Sequence, residues 1–216
     1  MPPEPRPDCA LCPRLVAYRA SNRAAEPGWY NGAVPSFGSV TARLLIVGLA
    51  PGVTGANRTG RPFTGDHAGI LLYTTLLRHG FATGTYGAAP DDGLSLVDCL
   101  ITNAVRCVPP ANKPTPVEVR TCGGFLAARI ASLDSLAIVL ALGRVAHDAT
   151  LSALGLKRSH HAFAHGARHT LPGGLVLADS YHCSRYNTNT GVLTEAMFDA
   201  VFAAIRQDLN ADRAGV

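Results

Sequence analysis

Short apolar runs that alternate with helix-like segments are the feature of this sequence that most limits its fold. The first run, at 43–49, is continuous and rich in β-forming residues, and it ends in Ala50-Pro51-Gly52. Such a run is typical of a central strand buried on both faces. Similar runs follow at 97–105, 136–142 and 174–179. The sequence therefore predicts four buried strands.

Segments with helical periodicity lie between and after these strands, at 66–79, 116–132, 144–155 and 193–209. Strands that alternate with helices are joined by right-handed crossovers, which give a parallel sheet covered on both faces. We therefore predict an α/β fold, a three-layer α/β/α sandwich with a central four-stranded parallel sheet. Such folds bind ligands beyond the carboxyl ends of the strands.

Length and charge set the remaining bounds. A chain of 216 residues with 47% hydrophobic side chains predicts one domain over 1–216. The formal net charge of +4 is compatible with a polyanionic partner without requiring one. There is no apolar run of membrane-spanning length and no secretory signal at the N-terminus, so we expect no membrane association and a cytoplasmic location.

The loop after the first strand, 48–66, contains five glycines and two prolines. It matches neither a P-loop nor a dinucleotide-binding fingerprint. Phe63 stands in this polar loop, where an exposed ring could stack on a planar ligand; packing in the core is the alternative. Asp66 stands where the next helix should begin, so it is either an N-cap or a functional carboxylate.

The six cysteines are spaced unevenly. In a reducing compartment they are expected to bind metal, to catalyse or to be buried, rather than to form disulfides. Four of them suit either structural zinc or an iron–sulfur cluster, and their spacing does not separate the two: Cys9, Cys12, Cys107 and Cys122. Cys99 lies inside a predicted strand and reads as a small buried hydrophobe. Cys183 follows His182, and a nucleophilic role for it is the less favoured reading.

The loop after the fourth strand, 179–190, is dense in hydroxyls, amides and aromatic rings. This composition suits contact with phosphates and insertion beside bases, with a solvated loop as the alternative. The segment 158–168 is rich in histidine and alanine and forms either a basic, DNA-facing surface or a solvated one. The histidines other than His182 show no metal-ligand spacing.

Five motifs follow one another along the chain: GLAPG at 48–52, GRPFTGD at 60–66, NAVRCVPP at 103–110, NKPTP at 112–116 and HCSRYN at 182–187. Together they resemble the uracil-DNA glycosylase superfamily, and most closely its family 5, the type-B enzymes. The resemblance implies a monofunctional DNA-repair glycosylase that hydrolyses the N-glycosidic bond of uracil, and often of hypoxanthine and xanthine. A monomer is the simplest expectation for such an enzyme. It also implies a 4Fe-4S cluster bound by Cys9, Cys12, Cys107 and Cys122.

The resemblance implies roles for individual residues as well. It makes Asp66 and Asn112 the residues that position water and His182 the residue that faces the uracil O2. The substrate pocket would comprise Gly48, Leu49, Ala50, Pro51, Gly52, Phe63 and Asn103. The residues expected to contact DNA are Arg58, Arg61, Lys113, Ser184, Arg185, Tyr186 and Asn187.

The chain departs from the family pattern at two positions. Asn103 falls where many type-B enzymes have a small apolar residue, which predicts a stronger preference for uracil. Cys183 replaces a proline found in many members. Two other functions remain open from the residues: an iron–sulfur DNA-binding or electron-transfer protein without base excision, and a zinc-stabilised nucleotide hydrolase of flavodoxin-like topology.

Overall fold

A six-stranded mixed sheet forms the centre of the computed structural model, which describes residues 1–214. The strands in chain order are β1 (Phe37–Gly38), β2 (Leu44–Gly48), β3 (Ala82–Thr83), β4 (Ser95–Leu96), β5 (Cys99–Asn103), β6 (Ile138–Leu142), β7 (Arg168–Thr170) and β8 (Val176–Ser180). The central sheet has the order β1-β5-β2-β6-β8-β7, and β3 pairs with β4 in a separate ribbon.

The four predicted strands are β2, β5, β6 and β8, and they pair in parallel as expected. The predicted count of four strands is wrong, because β1 and β7 add antiparallel edges. These edge strands have only two and three residues, and they lack the continuous apolar run that marks a central strand. Their pairing depends on a neighbour that is distant in sequence.

In the described part of the chain, seven α-helices surround the sheet. They are α1 (Pro13–Ala25), α2 (Ala56–Thr59), α3 (His67–Arg78), α4 (Pro116–Ala131), α5 (Arg144–Ala153), α6 (Arg185–Asn189) and α7 (Glu195–Ala214). Within residues 1–214, none of the helices has the length and apolarity needed to cross a membrane.

The side chains of each central strand alternate between two cores, which confirms the three-layer arrangement. In β2, Leu44 and Ile46 pack with α3 and α7, whereas Leu45 and Val47 pack with α4 and α5. Alternation follows from the two-residue period of a strand. Both faces are apolar, so the strand reads as one uninterrupted hydrophobic run in the sequence.

The N-terminal segment was not assigned from the sequence, and it folds against α4. Arg14 of α1 donates to both carboxylate oxygens of Glu118, at 2.7 and 2.6 Å. Glu118 also completes a capping box with Thr115 at the start of α4. Glu4 pairs with Arg106 and Arg129. These ion pairs fix the first 25 residues beside the end of β5.

Candidate active site

A cleft of about 980 Å³ opens beyond the carboxyl ends of the central strands. Residues that follow β2, β6 and β8 line it, including Leu49, Gly143 and Tyr181. This is the position at which open parallel sheets bind ligands. Three of the residues singled out from the sequence come from separate loops and line this one cleft: Asp66, Asn112 and His182.

Asp66 is both the N-cap of α3 and a wall of the cleft. Its Oδ1 accepts a hydrogen bond from the Gly69 N–H at 3.2 Å. Its Oδ2 faces Gly52 and Gly55, where a Cβ atom would crowd the carboxylate. The glycines therefore leave space for this side chain. Because capping occupies only one carboxylate oxygen, the structural and chemical roles of Asp66 are compatible.

The ionisation of Asp66 is governed by opposing effects. Burial raises the pKa of its carboxyl above the ordinary value, and hydrogen bonds from the Gly69 and Ala68 N–H groups lower it. Burial is the larger effect. The carboxylate is thus more basic than an exposed aspartate, which suits a group that holds water or faces developing positive charge.

His182 follows β8 and Tyr181, and it packs against Phe63, with ring centroids 5.9 Å apart and planes inclined by 28°. The Asn187 side-chain amide donates to the His182 carbonyl at 2.8 Å and fixes this loop. Burial lowers the pKa of the imidazole to about 4. The ring is therefore neutral near pH 7 and can donate one N–H without carrying a charge.

Phe63 is buried, contrary to the expectation of an exposed ring, with 7% of its surface accessible. It adopts a positive φ of 53°, and its ring packs on Gly48 together with the Asn103 amide. A Cβ at Gly48 would overlap both side chains. Phe63 and Asn103 thus lie side by side behind the loop residues that line the open cleft.

Six of the seven residues expected to contact DNA are exposed or line the cleft. Arg58, Lys113, Arg185 and Tyr186 are exposed, and Tyr186 has 74% of its surface accessible. Ser184 caps α6 by accepting from the Asn187 N–H at 3.3 Å. Ser184, Arg185 and Asn187 also line the cleft. Arg58, Lys113 and Tyr186 are exposed but are not among the residues that line the cleft.

Arg61 belongs to a different environment, and the prediction that it contacts phosphate is wrong. It is 5% exposed and pairs with Asp92 at 2.7 Å. Its guanidinium lies over the rings of Phe37 and Tyr73, at 5.1 and 5.4 Å from their centroids. The pair depresses the pKa of Asp92 strongly. This partner could not be predicted from the sequence, because Asp92 belongs to another loop.

Cys9, Cys12, Cys107 and Cys122 surround one small apolar cavity. Cys9 and Cys12 precede α1, Cys107 follows β5, and Cys122 lies within α4. Arg19 donates to the carbonyls of Pro7 and Cys9 at 2.7 and 2.6 Å, which shapes the N-terminal loop around the cavity. The four thiols that the sequence grouped are therefore neighbours in the fold.

The four thiols are not spaced as the ligands of one zinc ion would be. A tetrahedral zinc with 2.3 Å bonds places its sulfur ligands roughly 3.8 Å apart. All four cysteines lie in the described part of the chain, yet no three of their sulfur atoms lie within 4.8 Å of one another. The Arg106 N–H also donates to Cys122 Sγ at 3.3 Å, as N–H groups do to cluster-bound sulfur.

The other two cysteines are core residues. Cys99 and Cys183 have no accessible surface, and burial raises the pKa of both thiols. The assignment of Cys99 as a small buried hydrophobe is confirmed. A nucleophile must reach its substrate as a thiolate, so the nucleophilic alternative for Cys183 does not fit its position.

Part of the cleft wall was not predicted from the sequence. Arg144 and Phe163 line it, and the Arg144 guanidinium lies 5.3 Å from the Phe163 ring centroid. Arg144 follows β6 directly, so its place after a strand was a usable signal. Phe163 belongs to the histidine-rich segment after α5, which has no periodicity that would direct it to the cleft.

Comparisons with known proteins give the relatives of this chain. The family model described as the uracil DNA glycosylase superfamily matches residues 35–206. A type-5 uracil-DNA glycosylase of Thermus thermophilus is 48% identical over 196 residues, which cover 88% of this chain and 89% of that protein. One from Pyrobaculum aerophilum is 41% identical over 191 residues, with 87% and 83% coverage. A type-4 uracil-DNA glycosylase of Thermotoga maritima is 39% identical over 135 residues, covering 61% of this chain and 62% of its own.

Proposed function

This chain belongs to the uracil-DNA glycosylase superfamily, and we propose that it removes uracil from DNA by hydrolysing the N-glycosidic bond, leaving an abasic site. The observation that supports this most directly is the meeting of Asp66, Asn112 and His182 at one cleft. The proposal includes one domain over 1–216 that works as a monomer in the cytoplasm. Hypoxanthine and xanthine are further candidate bases.

Access to the bond requires that the nucleotide leave the duplex, which costs a few kcal/mol. A cleft of about 980 Å³ is large enough to receive the extruded nucleotide. Arg58, Lys113 and Arg185 would contact the phosphates on either side, and Ser184 and Asn187 would position the strand at the rim. Asn103, beside Phe63, would offer its amide to the edge of the base.

Cleavage creates a positive charge on the sugar and a negative charge on the departing base. The neutral His182 ring would donate an N–H to the base oxygen, assisted by backbone amides of the 48–52 turn, in the manner of an oxyanion hole. Asp66 Oδ2, which does not accept the Gly69 cap bond, would stabilise the sugar cation. Asp66 and Asn112 together would hold the attacking water.

An excision assay tests this proposal. Purified protein is incubated with duplex and single-stranded oligonucleotides that contain one uracil, hypoxanthine or xanthine, and alkali then cleaves any abasic site. We expect strand scission at uracil. Tight binding of the uracil oligonucleotide without scission would instead support the iron–sulfur DNA-binding or electron-transfer alternative.

We further propose that Cys9, Cys12, Cys107 and Cys122 hold a 4Fe-4S cluster. When bound, it supplies a structural cross-link between the N-terminal loop, the end of β5 and α4. The residues around it support this role: Arg19 orders the loop of Cys9, and Arg14 ties α1 to Glu118 of α4. Cys107 lies in the segment that follows β5, which ends at Asn103, so the cross-link would stabilise that side of the site.

Replacing Cys12 by serine should therefore remove most of the iron and the visible absorption of the cluster, and lower the melting temperature. The matched control is Cys99→Ala, which deletes a buried thiol outside the four-cysteine site and should retain iron. Iron analysis and a visible spectrum measure both variants. Equal iron in Cys12→Ser and the wild type would contradict the assigned ligand set.

Replacing Arg185 by alanine should reduce the salt dependence of DNA binding. Each phosphate contact contributes about −0.9 to the slope of log K against log salt concentration, so one lost contact should make the slope shallower by about 1. Arg78→Ala is the control, since Arg78 ends α3 at the end opposite Asp66 and pairs with Glu195 and Asp199. Fluorescence anisotropy over a salt series gives both slopes, and equal slopes would exclude Arg185 from the interface.

A further inference from the structure

A second group of metal-binding side chains lies away from the cysteines. Among the described residues, His147 of α5, His169 of β7 and Asp179 of β8 each present a ligand atom, and these atoms lie within 4.8 Å of one another. His147 and Asp179 are 1% and 0% exposed. The sequence showed no metal-ligand spacing here, because the three residues come from separate elements that meet only in the fold.

The hydrogen bonds around His147 determine where its proton lies. His147 Nε2 is 2.9 Å from the His161 carbonyl oxygen. A carbonyl only accepts, so Nε2 carries the proton and donates. In the neutral ring Nδ1 then has a free lone pair. That nitrogen lies 2.8 Å from Asp179 Oδ1, which is also an acceptor.

A cation fits between these two atoms: either a proton on Nδ1, which makes an imidazolium–carboxylate pair, or a metal ion. A proton on His147 joins only these two atoms. His169 Nε2, however, approaches the other oxygen of the same carboxylate, at 3.3 Å from Asp179 Oδ2. A metal ion satisfies both imidazole nitrogens and the carboxylate together. A ligating histidine whose second nitrogen donates to a backbone carbonyl is a recurrent arrangement at metal sites.

We propose that His147 Nδ1, His169 Nε2 and the Asp179 carboxylate form a binding site for a divalent transition-metal ion of the zinc class. Two imidazoles and one carboxylate are suitable ligands for such an ion. Water can fill the fourth position of a tetrahedral ion.

A metal ion bound at this site would stabilise one wall of the cleft. The His147 ring contacts Phe163, with centroids 5.6 Å apart, and Phe163 lines the cleft. Two backbone hydrogen bonds, each 2.9 Å long, tie the segment 161–169 to β8. The Gly166 N–H donates to the Asp179 carbonyl, and the Asp179 N–H donates to the Ala167 carbonyl. A metal ion that joins α5, β7 and β8 would fix this segment, and with it the position of Phe163.

Metal analysis tests the site on the iron-loaded protein. Wild type, His169→Gln and His160→Gln are equilibrated with zinc chloride, and zinc and iron are counted per chain. We expect the wild type to hold one more zinc than His169→Gln, whose zinc affinity should be at least about 100-fold weaker, beyond the loss typical of an outer-shell change. His160 is exposed in the same segment, so His160→Gln should match the wild type.

Two measurements on the wild type need no variant. Zinc at about 100 times its dissociation constant should raise the melting temperature by about 5 °C or more. Amide hydrogen exchange should slow in the 158–169 segment when zinc is added. The proposal is overturned if the zinc content of wild type and His169→Gln is the same, if His160→Gln loses zinc equally, or if exchange in this segment does not respond to zinc.

Discussion

Replacing Asp66 by asparagine should lower the single-turnover rate of uracil excision by about 10²- to 10⁴-fold, the range expected for a lost general base. The fold should be kept, because asparagine caps a helix as well as aspartate does and can still accept from the Gly69 N–H. The change removes the negative charge that faces the sugar and the attacking water. Comparing rates and melting temperatures of wild type and variant measures both effects.

The pH dependence of excision offers a second test of Asp66. Burial raises the pKa of this carboxyl, so the wild-type rate should fall as the pH drops through a value above that of an ordinary aspartate. The Asp66→Asn profile should lack this acidic limb. Asp66→Ala is the control for capping, and it should cost about 1 kcal/mol of stability in addition. An Asn variant that is unstable but fully active would reduce Asp66 to a cap.

Replacing His182 by alanine should lower the single-turnover rate by about 10²- to 10³-fold, as observed when one oxyanion donor is lost. Affinity for DNA that contains an abasic site should change little, because the lost hydrogen bond is to the departing base. His182→Gln, which keeps an N–H donor, should recover part of the rate. Unchanged excision by the alanine variant would refute the role of this ring.

The low pKa of His182 has a consequence for stability. Its folded pKa is about 4, below the value of about 6.5 for an unfolded histidine. Between these values the unfolded chain binds more protons, so the free energy of unfolding should fall as the pH is lowered from 6.5 to 4. Denaturant titrations of His182→Gln should show a shallower decline. An identical decline in wild type and variant would mean that the folded ring is not held neutral.

The central strands and their helices could be predicted because each is encoded locally. The run at 43–49 contains β2 (Leu44–Gly48), and the segment 116–132 contains α4 (Pro116–Ala131), where Thr115 and Glu118 supply the capping box. The edge strands β1 and β7 could not be predicted in this way. Their two and three residues pair only because a neighbouring strand offers free backbone groups.

The candidate site, like the fold, could be predicted from the sequence only in part. Motif order grouped Asp66, Asn112 and His182, and the strand pattern placed their loops at one edge of the sheet. Phe63 and Arg61 were misjudged, because a polar, glycine-rich loop predicts exposure for both. Phe63 packs on Gly48, and Arg61 pairs with Asp92 under aromatic rings. These partners come from other parts of the chain.

The sequence by itself determined the three-layer architecture, the parallel pairing of the central strands, the grouping of four cysteines and the loops that carry the site. Those features follow from periodicity, local capping and ordered motifs. Only the tertiary structure decided which side chains are buried, which ionisable groups are shifted in pKa, and that His147, His169 and Asp179 meet. Burial and electrostatic interactions depend on distances in space, and residues far apart along the chain acquire those distances only when it folds.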